Sequence, residues 1–512
     1  MRRRALISVY DKDTVGELAR SLHELDFELV SSGGTAAHLE ELGLPVTRVE
    51  EVTGAPELLG GRVKTLHPSI HAGILARREL DEDLAALADQ GIEPFDVVCV
   101  NLYPFARVAG NPNATEEEII EMIDVGGPSL LRAAAKNFRH VVVLSSAEQY
   151  EPVLAELREH GEVTPETRRR LAREAFETTA VYETTIASWF RGSARFPQQL
   201  TLAFRKVADL SYGENPHQGA AYYREVGARR HLLSAVDQLG GKELSFNNLS
   251  DLEGARRIAR ELSLPAAVIV KHGNPCGVAI GTTLEEAWER ALAADPVSAY
   301  GCVVVLNREV DAKLATRLAQ HFIEVLFAPG FTTTALVALR ERQGLRILSD
   351  RERRAETAGE RDFKRVLGGL LVQDRDAEID YREAMEPVVG EVTEKQWADL
   401  LFAWRICKHV ASNAIVLARD LQTIGIGAGQ MSRVEAVRLA VESAREHGHD
   451  LHGAVLASDA FFPFPDGPQV ALEAGITALI QPGGSRRDDE VLAAVRAAGA
   501  AMVFTGRRHF RH

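Results

Sequence analysis

Residues 5–31 read ALISVYDKDTVGELARSLHELDFELVS, and their rhythm decides the fold class. ALISVY (5–10) is apolar and reads as a buried strand. Val15, Leu18, Ala19, Leu22 and Leu25 then recur at helical spacing, and FELVS (27–31) returns to a strand. The alternation continues: VVCVNLY (97–103) and VVVLSS (141–146) read as strands, with helical patterns at 81–90, 115–123 and 128–137. Alternating elements with short connections predict an α/β fold, a parallel sheet covered by helices on both faces.

The chain of 512 residues exceeds what one core organises, roughly 250–300 residues, so about three domains are expected. Residues 147–191 read as mainly helical, and GSARFPQQL (192–200) as a linker. A second α/β region starts near 200 and carries VVVL (303–306) and LFAPG (326–330). A charged stretch of weak signal, 338–365, precedes a third block with TIGIGAG, AVLASDAFFPF and ITALIQPGG. The second and third blocks share a layout, without a sequence repeat to prove it. The expected domains are 1–195, 200–365 and 366–512.

Hydrophobic content of 46% and charged content of 26% describe a soluble globular protein. No apolar run reaches the roughly 20 residues that span a bilayer. MRRRALISVYDK lacks the apolar core of a signal peptide, because charge returns at Asp11 and Lys12. Cys99, Cys276, Cys302 and Cys407 are scattered with no C-x-x-C pair, which argues against a disulfide scaffold and a structural zinc and for a reducing cytoplasm. The net charge of −14 disfavours nucleic-acid binding but leaves phosphate ligands open.

In VIVKHGNPCGVAI (268–280) a β-branched run delivers Lys271 and His272 side by side into a Gly-Pro turn. The segment is a plain turn, a thiol site at Cys276, or a pair for proton transfer. SSGGT (31–35) is either a phosphate cradle at a helix start or a βα turn capped by threonine. In GGRVKTLHP (60–68) an extended backbone points Arg62 and Lys64 the same way, and with Thr65 they can grip an oxyanion; a solvated basic loop is the plainer reading. His67 and His71 lack a third ligand at sensible spacing, so no metal is expected there. Asp124, before Gly126-Gly127-Pro128, fits a helix cap, and Lys136 fits the C-terminal end of the same helix. Tyr103 in VNLYPF ends a strand, where α/β proteins place ligand contacts. TIGIGAGQ (423–430) has the wrong glycine spacing for a dinucleotide site and reads as close backbone packing. FFPFPDG (461–467) is a core edge or a flat slot for an aromatic ring.

Ten segments occur in one order over nearly the whole chain: ISVYDK, SSGGTAAHLEELG, GRVKTLHPSIHAGILAR, NLYPF, IDVGGPSLLRAAAKN, YGENPHQ, VKHGNPCG, SNAIVLA, IGIGAGQMSR and SDAFFPF. Together they resemble the bifunctional purine-biosynthesis family, which joins phosphoribosylaminoimidazole-carboxamide (AICAR) formyltransferase to inosine monophosphate (IMP) cyclohydrolase. The resemblance implies a methylglyoxal-synthase-like N-terminal domain (1–195) that closes the purine ring. It also implies two cytidine-deaminase-like subdomains without zinc (200–365 and 366–512) that transfer the formyl group. A cytoplasmic homodimer with shared formyltransferase sites is implied, with AICAR, its formyl derivative FAICAR, IMP and 10-formyltetrahydrofolate as small-molecule partners. No metal, nucleic acid or membrane is implied.

Carried over by motif, the N-terminal site takes Tyr10, Lys12, Ser32, Gly33, Gly34, Thr35, Arg62, Lys64, Thr65, Asn101, Tyr103, Asp124, Gly126, Gly127 and Lys136. The family assigns proton transfer in cyclisation to the Lys136 position. The C-terminal site takes Lys271, His272 and Asn413 as catalytic residues, with Tyr212, Gly301, Glu324, Arg433 and Arg508 on the nucleotide. Phe461, Phe462, Asp466 and a glycine–serine step expected at positions 485 and 486 face the folate. Three positions depart from the family pattern: Ser211 where arginine is frequent, Tyr300 where phenylalanine is usual, and Tyr10 where a smaller residue stands.

The chemistry explains the Lys-His pair. The AICAR amino group is a poor nucleophile, so its transfer reaction needs a base titrating near neutrality, which histidine supplies. Lys271 stabilises the oxyanion or delivers a proton to the folate nitrogen, and Asn413 positions the intermediate. Ring closure is intramolecular, so holding the two groups together does much of the work. Methylglyoxal-synthase-like domains also serve as ligand sensors; Lys64, Thr65, Asp124 and Lys136 together favour catalysis. A zinc deaminase or a nicotinamide enzyme is disfavoured by missing ligands and by glycine spacing.

Overall fold

The opening stretch forms β1 (Arg3–Val9), the helix Val15–Glu24 and β2 (Phe27–Ser31) in the computed structural model, which describes residues 2–192, 194–228, 231–351 and 360–512. The buried residues of that helix are Val15, Leu18, Ala19 and Leu22, the stripe its periodicity predicted. With β3 (Val46–Arg48), β4 (Val97–Asn101) and β5 (Val142–Leu144) the strands form one parallel sheet in the order β3-β2-β1-β4-β5. The helix Gly126–Lys136 packs on β4 and β5, and the long helix Pro165–Arg191 packs on it in turn. β3 was not foreseen: three half-buried residues at a sheet edge carry almost no pattern. The order of the strands reverses between β1 and β4, so a crevice opens at their carboxyl ends.

The chain divides into two compact units, Met1–Arg205 with Tyr223–Arg229, and Lys206–Tyr222 with Arg230–His512. A ribbon of β6 (Phe204–Leu210) and β7 (Ala220–Glu225) lies at the division in sequence. In the second unit β8 (Asp237–Gly240), β9 (Ala266–Lys271), β10 (Asn274–Ile280), β11 (Cys302–Leu306), β12 (Ile323–Ala328) and β13 (Arg346–Ser349) form one half of a large sheet. A separate hairpin follows, β14 (Arg361–Val366) and β15 (Gly369–Asp374). The other half holds β16 (Glu386–Val389), β17 (Ile415–Arg419), β18 (Gln422–Gly427), β19 (Val455–Ser458), β20 (Ala478–Gln481) and β21 (Ala501–Phe504). All twelve join in the order β16-β21-β20-β19-β17-β18-β10-β9-β11-β12-β13-β8. Residues 352–359 of the stretch 338–365, and position 193 of the stretch 192–200, lie outside the described residues.

The two halves repeat one plan. β9 and β10 form an antiparallel hairpin, the helix Leu284–Ala294 follows, β11 returns antiparallel beside β9, and β12 and β13 add in parallel. β17, β18, the helix Arg433–Glu446, β19, β20 and β21 reproduce that order. The halves meet through antiparallel β10 and β18, with Ala279 opposite Gln422. The sheet is buried on both faces: Val268, Val270, Val303 and Val305 enter one core, while Ala267, Ile269, Val304 and Leu306 enter another. That period of two is why β9 and β11 read as unbroken apolar runs.

Glycines let each helix settle on its hairpin. A Cβ on Gly277 would sit 1.9 Å from the Ala291 carbonyl oxygen, and one on Gly427 1.9 Å from that of Ala436. Gly425 and Gly427 of TIGIGAGQ therefore serve close packing, as their spacing suggested, while Gly429 takes a left-handed turn at φ 67°.

Candidate active sites

In the first unit the expected residues gather at the carboxyl ends of β1, β2 and β4. Asn101, closing β4, accepts the Tyr10 and Asp11 N–H groups (2.5 and 3.0 Å) on Oδ1 and donates from Nδ2 to the Asp11 carbonyl. It thereby fixes the loop after β1 that carries Lys12. Tyr10 and Tyr103 stand with ring centroids 5.4 Å apart, both partly exposed. Thr35 is buried: its hydroxyl donates to the Val9 carbonyl at 2.9 Å and accepts the Val9 N–H, so it locks the SSGGT turn to β1. Ser32 and the left-handed Gly33 start the helix Gly33–Glu41. A Cβ on Gly33 would collide with the Lys64 ammonium, and one on Gly34 would lie 3.8 Å from that of Lys12. Two cations therefore flank the backbone N–H groups of a helix start, an arrangement that fits a phosphate.

Asp124 closes the other side. Its Oδ1 accepts the Gly127 N–H at 2.7 Å, and its own N–H donates to the Tyr182 hydroxyl at 2.8 Å. Burial pushes its carboxyl above the usual range, against the opposing pull of the Gly127 and Tyr103 N–H groups. A Cβ on Gly126 would lie 3.0 Å from the Thr65 hydroxyl, so the GRVKT loop reaches this helix start.

Two expectations change here. The Arg62–Lys64 segment is not extended: Gly61 is left-handed and Arg62 helical, so the cations diverge, Arg62 pairing with Glu121 and Lys64 with Glu57 at 3.1 Å. Lys136, exposed, lies at the opposite end of the Gly126–Lys136 helix from Asp124. Eleven residues of helix put about 15 Å between its ends, so the structure does not bring Lys136 to the Asp124–Thr65 group. His67 caps the helix Pro68–Leu75 by accepting the Ser69 N–H on Nδ1. Among the described residues no three His, Cys, Asp or Glu side chains are grouped as metal ligands.

In the second unit Lys271 ends β9 and its ammonium donates to the Tyr300 carbonyl at 2.7 Å. His272 and Gly273 both have positive φ, 53° and 74°, and make the tight turn into β10. Asp251, on the helix Phe246–Arg260, accepts both of their N–H groups, at 3.1 and 2.6 Å. Burial raises the Asp251 carboxyl, and these two N–H groups oppose that rise. Lys271, His272, Asn274, Cys276, Asp295 and Ser443 are among the residues lining a cavity of about 310 Å³. Burial pushes the Cys276 thiol up to about 12, so it is not a thiolate near neutrality.

Beside Lys271, Gly301 is left-handed and its N–H donates to the Phe322 carbonyl. Glu324 accepts from the Asn248 amide at 2.8 Å, and the Tyr300 and Phe322 rings lie tilted against each other with centroids 4.9 Å apart. Tyr212 accepts the Phe246 N–H on its carbonyl, while the hydroxyl of Ser211 turns back to the Leu244 carbonyl. Arg508 is exposed and lies over the Phe510 ring.

Asn413 comes from the other half. Its amide donates to the Gln430 carbonyl at 2.8 Å and accepts from Arg433 at 2.7 Å. Asn274 links it to the Lys-His turn by accepting the Ala411 N–H at 2.9 Å. Arg433 is buried, and its guanidinium is taken up by Asp459, Ser458 and Asn413, so it orients Asn413. Phe462 is 1% exposed and packs against Gly467, whereas Phe461 beside it is 39% exposed. Asp466 starts the helix Asp466–Glu473. Arg433 and Phe462 are thus both buried, Arg433 against Asn413 and Phe462 against Gly467.

The glycine–serine step needs a correction of one residue. In QPGGSR (481–486) the step is Gly484–Ser485; position 485 is the serine rather than the glycine, and position 486 is an arginine, Arg486, rather than a serine. The step lies in the loop after β20, where the Gly484 N–H donates to Asp488 at 2.7 Å and the Ser485 hydroxyl accepts the Arg487 N–H at 3.2 Å. Arg486 is an exposed cation and cannot supply the small hydroxyl expected at its position. Sequence reading also missed Asp251, Asn248 and Asn274, which are ordinary polar residues until the turn is folded around them.

Comparison with known proteins shows the family. A family model described as the AICARFT/IMPCHase bienzyme matches residues 134–443, and one described as an MGS-like domain matches residues 14–129. The chain belongs to the AICAR formyltransferase/IMP cyclohydrolase bienzyme family. It is 48% identical over 515 residues to the protein named bifunctional purine biosynthesis protein PurH of Halalkalibacterium halodurans, with 100% of both chains covered. The protein of the same name from Bacillus cereus (strain AH820) is 47% identical over the same length and coverage. A solved structure titled "Crystal structure of ForH" is 37% identical, covers 37% of this chain and 100% of that one, and has a TM-score of 0.34.

Proposed function

We propose that the chain performs its two reactions at two distinct sites, formyl transfer at the Lys271–His272 turn and ring closure at the Lys64–Asp124 group. The observation that carries the reading is the turn itself: a lysine and a histidine lining one cavity together, with Asn274 tying the turn to Ala411, two residues before Asn413. In the transfer, the AICAR amino nitrogen attacks the formyl carbon of 10-formyltetrahydrofolate. His272 takes the proton that this nitrogen loses. Lys271 and the Asn413 amide stabilise the tetrahedral oxyanion, and Lys271 supplies the proton that the departing folate nitrogen gains. FAICAR results. Phe461, Asp466, Gly484 and Ser485 face the folate, and Tyr212, Gly301, Glu324 and Arg508 face the nucleotide.

At the other site Lys12, Lys64 and the N–H groups of Gly33 and Gly34 hold the FAICAR phosphate. Asp124, Thr65 and Tyr103 flank the reacting formyl and carboxamide groups, whose condensation expels water and gives IMP. Lys136, at the other end of its helix, is assigned no part in that group. Residues 1–195 carry ring closure, and 200–365 with 366–512 are zinc-free cytidine-deaminase-like subdomains; the repeated strand order supports that division. The protein works in the cytoplasm as a homodimer with shared formyltransferase sites and needs no metal for either step. The test feeds the purified protein AICAR and 10-formyltetrahydrofolate and follows FAICAR and IMP. The wild type yields IMP, and a His272→Ala variant given FAICAR still yields IMP. Failure of the wild type to formylate AICAR would overturn the reading.

A further inference from the structure

The segment 505–512 touches the Lys-His turn in a way that the reaction scheme leaves unused. His509, 2% exposed, is wedged between Asp376 (2.6 Å) and Asp380 (2.7 Å), and its N–H donates to the Asp459 carbonyl. Two residues on, Arg511 pairs with Ser412 by backbone: the Ser412 N–H donates to the Arg511 carbonyl at 2.9 Å, and the Arg511 N–H to the Ser412 hydroxyl at 3.2 Å. The Arg511 guanidinium then donates from Nη1 to two carbonyls, Gly273 at 2.5 Å and His409 at 2.6 Å.

We propose that Arg511 is a positioning residue for formyl transfer, tying the His272 turn to the 409–413 segment that presents Asn413. This rests on the assignment of transfer to that turn. The base and the orienting amide arise on different halves of the sheet, so no single element sets their separation. Asp251 holds the turn from its N–H side, and Arg511 holds it from its carbonyl side. The second repeat offers a comparison: Asp399 accepts the N–H groups of Asp420 and Leu421 as Asp251 does for His272 and Gly273. A buried carboxylate under the hairpin therefore belongs to the repeated plan, and so does an arginine on the carbonyl side of the turn, since Arg290 donates to the Asp420 and Ile280 carbonyls; Arg511 is the arginine that holds the turn bearing His272 and joins it to the segment of Asn413. Displacing a reacting group by about 1 Å costs on the order of 10²-fold in rate.

The experiment measures kcat and KM for formyl transfer in the full-length protein, and ring closure from supplied FAICAR, for Arg511→Ala, Arg511→Met and His272→Ala. Both Arg511 variants should lose about 10²-fold in kcat, with each KM within about threefold and ring closure unchanged. Added guanidinium should restore Arg511→Ala by about tenfold, which a merely structural loss would not permit. A kcat within about twofold of the parent in both variants, or no rescue by guanidinium, would overturn the proposal. If His272→Ala itself transfers formyl normally, the assignment of transfer to this turn fails; if only the Arg511 variants do, the positioning role fails alone.

Discussion

Asp251 holds His272 by its backbone: the carboxylate accepts the His272 N–H at 3.1 Å and the neighbouring Gly273 N–H at 2.6 Å. His272 has φ +53°, a conformation that costs a non-glycine residue about 1–2 kcal/mol. Two hydrogen bonds to an anion outweigh that strain. Asp251→Ala should therefore destabilise the second unit by about 2–3 kcal/mol and also depress formyl transfer. Asp399→Ala, at the matching place under the Asp420–Leu421 turn, should destabilise comparably and leave transfer of the remaining folded protein near normal. Denaturant titration paired with activity per folded molecule checks both; equal activity in the two variants would remove Asp251 from the catalytic account.

His272→Ala should lower formyl transfer by about 10²-fold or more, with nucleotide binding largely retained. Cys276→Ser should be nearly neutral, since burial pushes that thiol up to about 12 and keeps it protonated. Steady-state transfer assays decide the matter. A normal rate in His272→Ala together with a dead Cys276→Ser would point to thiol chemistry instead.

At the ring-closing site, nearness separates the lysines. Lys64 reaches the Gly33 turn, whereas Lys136 stands at the far end of an eleven-residue helix from Asp124. Ring closure from supplied FAICAR should fall by about 10²-fold in Lys64→Ala and Asp124→Ala, and by less than about tenfold in Lys136→Ala. The opposite ranking of the two lysines would show that this geometry is not the reacting one.

The His509 cluster predicts a pH dependence. Burial pulls the His509 pKa down, but hydrogen bonds and charge from Asp376 and Asp380 outweigh it, so the imidazole is held above its ordinary value. Burial likewise pushes Asp376 and Asp380 up, and pairing with His509 outweighs it and lowers both. A raised histidine contributes fully below its unfolded value, near 6.5, and loses the contribution as pH rises through the folded value. Lowered carboxylates contribute above roughly 3.9 and lose it as pH falls through their folded values. The stability gap between wild type and His509→Gln should thus be widest near pH 5–6, about 2 kcal/mol, and shrink toward pH 8.5. Urea titrations across that range measure it, and a gap that widens with pH would contradict the ion-paired assignment.

Local pattern was enough for much of this protein. The apolar rhythm of residues 5–31 marked strand, helix and strand; the glycine spacing of TIGIGAGQ spoke for packing over dinucleotide binding; and ten collinear motifs carried the family. Each depends on neighbours within a few residues, where side-chain period and turn chemistry are visible in the letters. The tertiary structure decided what pairs across distance. It showed that the two halves of the second unit repeat one plan, that Arg62 and Lys64 part company, and that Arg433 and Phe462 are buried. Asp251 lies 21 residues from His272, and Arg511 lies 238 from Gly273. Such contacts leave no local periodicity, because strand pairing and helix packing bring them together only once the sheet has formed.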